Sequence, residues 1–255
     1  MNVPDRYLGV WQRTLLRTAD GFEDRTTRVF WLQTESLHAD IRIPERQPRT
    51  LQQRCAQAGF AGVTEVEGDL CRWHRRLDFH PESPEDVGRM TFVSADELHE
   101  QALDGSFLEI WTRLPDSIGR SEALWLSDSE QGGRKACLLR AGDYFLFAAS
   151  RPQPLAGDLP LCERVATSSA EQAEHMLAME LSFGRIDSSG HSWRVELSTL
   201  PGRSGKALLL NPNPTTPLSD WPVQRLAGLG AYSPAAGWQR AAVPALRHLT
   251  EEAPA

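Results

Sequence analysis

The chain has 255 residues, with 27 basic and 34 acidic side chains, a formal net charge of −7 and 40 % hydrophobic residues. This is the composition of a globular protein with a packed core. The acidic balance argues against general binding to nucleic acid or to an anionic membrane. No apolar run approaches the roughly 20 residues of a membrane span, and the N-terminus carries no secretory leader pattern. We therefore expect a soluble, cytoplasmic protein.

The numbers of arginine, tryptophan and cysteine residues limit the kinds of binding or metal site that the chain can form. Only Lys135 and Lys206 are lysines, so 25 of the 27 basic residues are arginine, and the chain has 8 tryptophans. An arginine excess is typical of a GC-rich genome, but each indole must be buried, stacked or used for binding. The cysteines are Cys55, Cys71, Cys137 and Cys162. They form no CxxC pair, so we expect isolated thiols and no metal site.

Short segments rich in β-branched and aromatic residues recur between turn signals, which is typical of an antiparallel sheet. Up to residue 150 the predicted strands are Tyr7–Thr18, Thr26–Thr34, Leu37–Ile43, Val63–Glu67, Leu70–Phe79, Arg89–Val93, Phe107–Leu114, Ala123–Ser127, Lys135–Arg140 and Tyr144–Ala149. Turns such as Ala19-Asp20-Gly21 join neighbouring strands as hairpins. A parallel sheet would need long helical crossovers, and the chain has room for two helices only.

The first helix is predicted over about Pro48–Ala58, with proline near its start and Gly59 at its end. The second is predicted over about 168–182, where Ser168 and Glu171 have the spacing of a capping box. Three further strands are predicted at Phe183–Ile186, Trp193–Leu200 and Ala207–Leu210.

The C-terminal region differs in composition from the rest. Residues 211–255 are rich in proline and alanine and include Trp221, Tyr232 and Trp238. We expect an irregular tail that packs on the body through these aromatic rings. Residues 1–210 are then the barrel domain, with the 168–182 helix late in it.

The first strand opens with Tyr7-Leu8-Gly9-Val10-Trp11. Gly-x-Trp at this place resembles the signature of the calycin superfamily, which includes the lipocalins, although the resemblance covers only a few residues. It implies an up-and-down β-barrel in which Trp11 closes one end and packs on a basic residue from a late element. Candidates for that residue are Arg185, Arg194 and Arg225.

The chain is longer than a standard eight-stranded lipocalin. We therefore predict a mainly β protein with an antiparallel, calycin-like barrel of about ten strands and two helices. The alternative is a second, incomplete barrel-like lobe after about residue 115.

Aromatic and polar side chains alternate on several strands, and residues two apart share a face. Turned into a barrel lumen, they would line a pocket for a small, partly apolar, anionic molecule. The predicted ligand contacts are Arg13, Trp31, Gln33, Arg42, Trp73, Trp111 and Arg113. The alternative places the arginines in water and the indoles in the core.

Two strands carry histidine, aspartate and arginine in one column. His38, Asp40 and Arg42 share a face of one strand, and His74 belongs to a similar column on Leu70–Phe79. If both columns face inward, His38 or His74 could act as a general base that Asp40 orients. If both face outward, they are ordinary solvated strand faces.

Three function hypotheses follow. The first is small-molecule binding; the second is a cofactor-free isomerase, cyclase, dehydratase or decarboxylase with His38, Asp40 and His74 as catalytic residues; the third is a protein-interaction scaffold. No cofactor is predicted, although the calycin resemblance leaves haem on His38 or His74 open. The neighbouring arginines oppose a metal ion on these residues and Asp78. We expect no nucleic-acid or membrane partner, and a homo-oligomer is compatible with the sequence.

Overall fold

The computed structural model describes residues 3–46, 48–82, 86–128, 133–155, 159–210, 213–222, 229 and 237–245. Two antiparallel β-sheets make up most of this part of the chain, one closed and one open. Among the described residues, no helix is long and apolar enough to cross a membrane.

The first sheet follows a short 3-10 helix, η1 (Asp5–Tyr7). Its strands are β1 (Gly9–Thr18), β2 (Glu23–Asp24), β3 (Arg28–Gln33), β4 (His38–Ile43), β5 (Ala58–Glu67), β6 (Leu70–Asp78), β7 (Asp86–Phe92), β8 (Glu97–Ala102) and β9 (Phe107–Arg113). Because β9 pairs back onto β1, β1 and β3 to β9 form a closed, eight-stranded, up-and-down barrel, and β2 extends the end of β1.

The second sheet is open and has seven strands in the spatial order β15-β14-β13-β12-β11-β10-β16. These are β10 (Ser121–Asp128), β11 (Lys135–Ala141), β12 (Tyr144–Ala149), β13 (Glu180–Ile186), β14 (Ser192–Ser198), β15 (Ala207–Leu210) and β16 (Trp238–Arg240). The helical elements are α1 (Leu51–Arg54), α2 (Leu161–Thr167), α3 (Ala170–Met176) and the 3-10 helix η2 (Leu218–Asp220).

The described hydrophobic core consists of three buried clusters, one of which lies between the two sheets. One fills the barrel lumen, and one lies between the outer wall of the barrel and the second sheet, where α1 to α3 add side chains. The Phe30 ring of β3 stacks on the Phe183 ring of β13 across this layer, with centroids 4.4 Å apart. The third cluster covers the other face of the second sheet and includes Trp193, Trp221 and Trp238. β3 and β4 are therefore buried on both faces.

The predicted mainly β, antiparallel barrel is confirmed. Eight strands close it rather than ten, and the strands after residue 120 form the second sheet. This corresponds to the alternative of a second, incomplete lobe. The boundary at residue 210 stays a prediction. Beyond it Trp221 and Trp238 are buried, and β16 pairs with β10, while Tyr232 lies outside the described residues.

Both helix predictions need correction. α1 ends at Arg54 because Gly59 already belongs to β5: its φ is +147°, and a Cβ there would lie 2.4 Å from the Asp40 carbonyl oxygen. This glycine lets β5 approach β4 closely and is not a helix cap. The later helix is two short ones, and the capping box is formed by Ser169 and Gln172.

Candidate functional site

The end of the barrel around Trp11 is closed. The Trp11 indole donates from Nε1 to the Tyr7 carbonyl at 2.8 Å, and the Arg113 guanidinium lies over the indole with its carbon 4.5 Å from the ring centroid. Arg113 also donates to the Leu8 carbonyl at 2.7 Å. Gly9, with φ +117°, leaves space beside the Arg113 side chain. Arg113 therefore acts as a clamp at this end and not as an anchor in a pocket.

The arginine on Trp11 comes from the last barrel strand, so the predicted candidates Arg185 and Arg194 were wrong. Arg185 and Arg194 face each other across β13 and β14 of the second sheet. Arg225 lies outside the described residues.

The polar column of β4 faces the lumen. Asp40 lies directly opposite Trp31 on β3 and Phe60 on β5, and both rings belong to the lumen cluster. The alternate residues Ala39 and Ile41 pack in the layer under the second sheet. The usual assignment of the apolar column to the barrel interior fails here because the second sheet covers the outer wall.

The two histidine columns do not face a common cavity. His74 pairs with Val63, which packs on the outer layer, and its Nε2 lies 3.0 Å from Glu65 Oε2. Trp73, one residue earlier, belongs to the lumen. A bulge at Arg76 then reverses the alternation, so that Asp78 pairs with the lumen residue Phe60. The condition for a site shared by His38 and His74, that both columns face inward, is therefore not met.

Each of three lumen arginines is held by carboxylates. Their ion pairs are Arg13 with Glu109 at 2.6 Å and Asp24 at 2.8 Å, Arg42 with Asp40 at 2.8 Å, and Arg75 with Asp86 at 2.7 Å and Asp78 at 3.1 Å. Each of these three guanidinium groups is already paired with an acid. None of the three is therefore available to bind an anionic ligand in the lumen. Burial raises the pKa of Asp40 despite the attraction of Arg42.

Glu100 adds a further carboxyl to this network. It is 4 % exposed, accepts a hydrogen bond from Trp111 Nε1 at 3.1 Å, and lies directly opposite Glu109. Burial and then repulsion from Glu109 raise the pKa of Glu100 well above its usual range. Burial also raises the pKa of Glu109, against the attraction of Arg42 and Arg13. Protonation of Glu100 removes a like-charge contact from the lumen.

A hydrogen-bond chain fixes His38. Gln33 donates from its amide to the Thr34 carbonyl at 2.8 Å, so its oxygen is free to accept from Thr64 Oγ1 at 2.7 Å and from Trp31 Nε1 at 3.2 Å. The Thr64 hydroxyl therefore accepts from His38 Nδ1, 3.0 Å away. His38 is the Nδ1–H tautomer, and burial followed by repulsion from Arg75 lowers its pKa to about 3.

The lumen has almost no free volume. The cavity among Trp31, Asp40, Arg42, Trp73, Glu100 and Trp111 measures about 10 Å³, which is room for about one water molecule. The Trp31 ring meets those of Trp73 and Trp111 edge to face, with centroids 5.4 and 6.0 Å apart. Haem does not fit beside His38, and His74 lies outside the barrel. The predicted ligand contacts thus pack mainly against one another.

The geometry expected for catalysis is also not formed. Asp40 is bonded to Arg42, whereas His38 is bonded to Thr64. A ring with a pKa of about 3 is a weak base near neutral pH. Within the part of the chain that the structure describes, no group of three His, Cys, Asp or Glu side chains could hold a metal ion.

A larger cavity lies where the end of β6 meets the second sheet. It measures about 390 Å³, within the range of small-molecule sites. Four basic residues line it, namely Arg76, Arg134, Lys135 and Arg151, together with one acid, Asp78. Apolar lining comes from Leu77, Pro81, Pro152, Pro154, Leu155 and Met179. We call this cavity the junction groove.

Arg151 is one of two buried basic residues of the junction groove, together with Arg134. The Arg151 guanidinium donates to the carbonyls of Asp78, Phe79 and Met176, which ties the end of β6 to the C-terminal end of α3. Among the described residues no carboxylate forms an ion pair with it, and burial lowers its pKa to about 10. Asp78, the acid that lines the groove, forms an ion pair with Arg75. The lining of the groove therefore has more basic than acidic residues, and Asp78 and Glu82 attract the Arg151 guanidinium.

Sequence reasoning missed the junction groove. Lys135 stood out as one of two lysines, but its neighbours Arg76 and Arg151 come from distant parts of the chain. The bulge at Arg76, which reverses the facing of Leu77 and Asp78, leaves no clear signal in a single sequence.

Comparison with known proteins gives few matches. No protein-family profile and no curated protein matches the chain. An uncharacterized protein from Saccharomyces cerevisiae is similar in structure, with 11 % identity over 93 % of this chain and 99 % of that one and a TM-score of 0.58. A lipocalin-like protein from Bacteroides uniformis matches with 15 % identity over 43 % of this chain and 99 % of that one, with a TM-score of only 0.34.

At this identity the yeast structure shows a shared fold and nothing about function. The closed up-and-down barrel and the arginine-clamped Gly9-x-Trp11 turn on β1 agree with the resemblance that the sequence predicted. The chain thus has a closed, eight-stranded up-and-down barrel, extended by a second antiparallel sheet, and its Gly9-x-Trp11 segment resembles the calycin signature.

Proposed function

We propose that this protein binds a small, partly apolar anion and that the ligand occupies the junction groove rather than the barrel lumen. The observation that carries the proposal is the volume and charge of the groove: about 390 Å³, with four basic residues and one acid. The lumen, with about 10 Å³, would have to break several ion pairs before it could hold a ligand.

The buried guanidinium supplies the electrostatic reason. Removing a charge from water is costly unless an opposite charge replaces the lost hydration. Arg151 receives three carbonyl oxygens but no described carboxylate, so a carboxylate or phosphate would complete its surroundings. Arg76 and Lys135 at the rim would add charge-assisted hydrogen bonds.

The apolar lining supplies the second half of the recognition. Pro152, Pro154 and Leu155 line the groove together with Leu77 of β6 and Met179, which directly precedes β13. Hydrocarbon placed against these side chains would leave water, which stabilises a complex roughly in proportion to the buried apolar area. The ligand class is therefore an amphiphilic anion.

Three ligands of equal chain length test the charge requirement: decanoate, decanol and decylammonium, each titrated by calorimetry below the concentration at which it forms micelles. We expect decanoate to bind and decylammonium to bind at least about tenfold more weakly, a difference of about 1.4 kcal/mol. Equal affinity for all three, or no binding of decanoate, would contradict the proposal.

Two lysines offer a matched pair of variants. Lys135→Glu reverses a charge on the rim of the groove, whereas Lys206→Glu reverses the other lysine, on the turn before β15. We expect the first to weaken decanoate binding about tenfold or more and the second to leave it unchanged. The result that sinks the proposal is the same affinity for both variants.

A further inference from the structure

Two cysteines that are far apart in the sequence meet where the helices pack. Cys55 directly follows α1, and Cys162 lies in the first turn of α2, 107 residues later. The Cys162 thiol donates to the Cys55 carbonyl oxygen, with 3.6 Å between sulfur and oxygen. The Cys55 side chain belongs to the buried layer between barrel and second sheet, while Cys162 is half-buried at its margin.

The two thiols also interact with each other electrostatically. Burial first, and then a hydrogen bond and a charge interaction with Cys162, raise the pKa of Cys55 to about 12. Cys55 is therefore protected from direct attack by an oxidant, since the thiolate is the reactive form. Cys162 is the member of the pair that an oxidant dissolved in water can reach.

We propose that Cys55 and Cys162 form a redox-responsive dithiol that peroxide converts to an intramolecular disulfide. In the first step the Cys162 sulfur attacks one peroxide oxygen, the O–O bond breaks, and the products are a sulfenic acid and water. In the second step the Cys55 sulfur attacks the Cys162 sulfur, the S–O bond breaks, and a second water leaves. Overall two thiols lose two hydrogen atoms, and one hydrogen peroxide becomes two waters.

The disulfide would connect α1, which leads into β5 of the barrel, to α2, which precedes the second half of the open sheet. Because it closes a loop of about 107 residues, it would restrict the unfolded chain strongly. We expect the oxidised protein to have a higher thermal midpoint than the reduced one. This inference is independent of the ligand proposed for the junction groove.

The test is peroxide treatment of the full-length protein, followed by digestion without reduction and peptide mapping by mass spectrometry. We expect one linked pair of peptides, carrying Cys55 and Cys162, with the loss of two hydrogen atoms and reversal by dithiothreitol. Cys71 and Cys137, both fully buried, serve as internal controls and should stay as thiols.

Cys162→Ser provides the matched variant, because its side chain is half-buried and nearly the same size. We expect no intramolecular disulfide and no rise in thermal midpoint after peroxide, with an unchanged circular dichroism spectrum. The inference is overturned if wild-type Cys162 instead appears as sulfinic acid, as a link between two chains, or as an unmodified thiol. The peptide mapping of the wild-type protein needs no variant. It therefore decides the inference even if Cys162→Ser misfolds.

Discussion

The two faces of β4 are both buried, but in opposite surroundings. On the lumen side, His38, Asp40 and Arg42 join a network of ion pairs and indoles. On the outer side, Ala39 and Ile41 pack into an apolar layer under the second sheet. One strand thus borders a polar interior and an apolar interior at the same time, because a second sheet covers the barrel wall.

This difference separates two ways of stabilising the protein. The apolar layer is stabilised by removing hydrocarbon from water, which depends little on pH. The lumen depends on pairing each buried charge, which makes it sensitive both to the loss of one partner and to protonation. Substitutions in the lumen and in the apolar layer should therefore differ in the size and the pH dependence of their effects on stability.

The largest effect should come from the lumen. Arg13→Leu removes the guanidinium that joins Glu109 at 2.6 Å and Asp24 at 2.8 Å. Glu109 would then face Glu100 without its ion-pair partner, and we expect a loss of about 3 to 5 kcal/mol in the free energy of unfolding at pH 7. Urea denaturation measures it.

The matched control is Arg17→Leu, four residues further along β1. Arg17 is exposed and pairs with Glu23 at 2.8 Å, so we expect a change below about 1 kcal/mol. Equal effects of the two substitutions would mean that the lumen ion pairs contribute no more than surface ones.

On the outer face of β4, Ile41→Ala should cost about 3 kcal/mol, because it removes buried hydrocarbon from a fully covered position. The exposed Val93→Ala is the control and should change stability by less than about 0.5 kcal/mol. Denaturation at pH 5 and pH 8 should give the same cost for Ile41→Ala, and a strong dependence on pH would contradict the division between the two faces.

A smaller effect on stability is expected from Glu100→Gln, and its size depends on pH. Since the folded state raises the pKa of Glu100, the folded protein holds this proton where the unfolded chain, with a pKa of about 4.3, releases it. This contribution to stability is present in acid and is lost as the pH rises through the folded pKa.

The amide stays neutral, so Glu100→Gln and the wild type should differ least near pH 4. At pH 8 the variant should be more stable by about 1 kcal/mol or more. Thermal melts across this range provide the measurement, and a difference that stays constant with pH would show that Glu100 is not buried beside Glu109.

Much of the architecture could be predicted from the sequence because hairpin turns and alternating strands are local signals. Gly9 and Trp11 indicated the barrel end correctly, and the strand over Leu37–Ile43 was placed to within one residue of β4. β8 was missed, since its sequence Glu97-Leu98-His99-Glu100-Gln101-Ala102 is mostly polar and carries few β-branched residues.

The sequence could not show whether a column of alternate residues on β4 or β6 faces the barrel lumen or the outer layer. It depends on the second sheet, which covers β4 from outside, and on the bulge at Arg76, which reverses the end of β6. The same two features assemble the junction groove from β6, β11 and the segment after β12. Contacts of this kind arise between distant elements and leave little trace in local patterns.

A pH titration of the seven histidines by nitrogen-15 NMR shows whether the polar column of β4 faces the barrel lumen. His38 should stay neutral, protonated on Nδ1, from pH 8 down to about pH 4, because its pKa is lowered to about 3. Its stabilising contribution is complete above about pH 6.5 and is lost as the pH falls toward 3.

A His38→Ala variant assigns the resonance. If the assigned ring instead titrates near pH 6.5, as solvent-exposed histidine does, the column faces water and the account of a charged, closed lumen is contradicted.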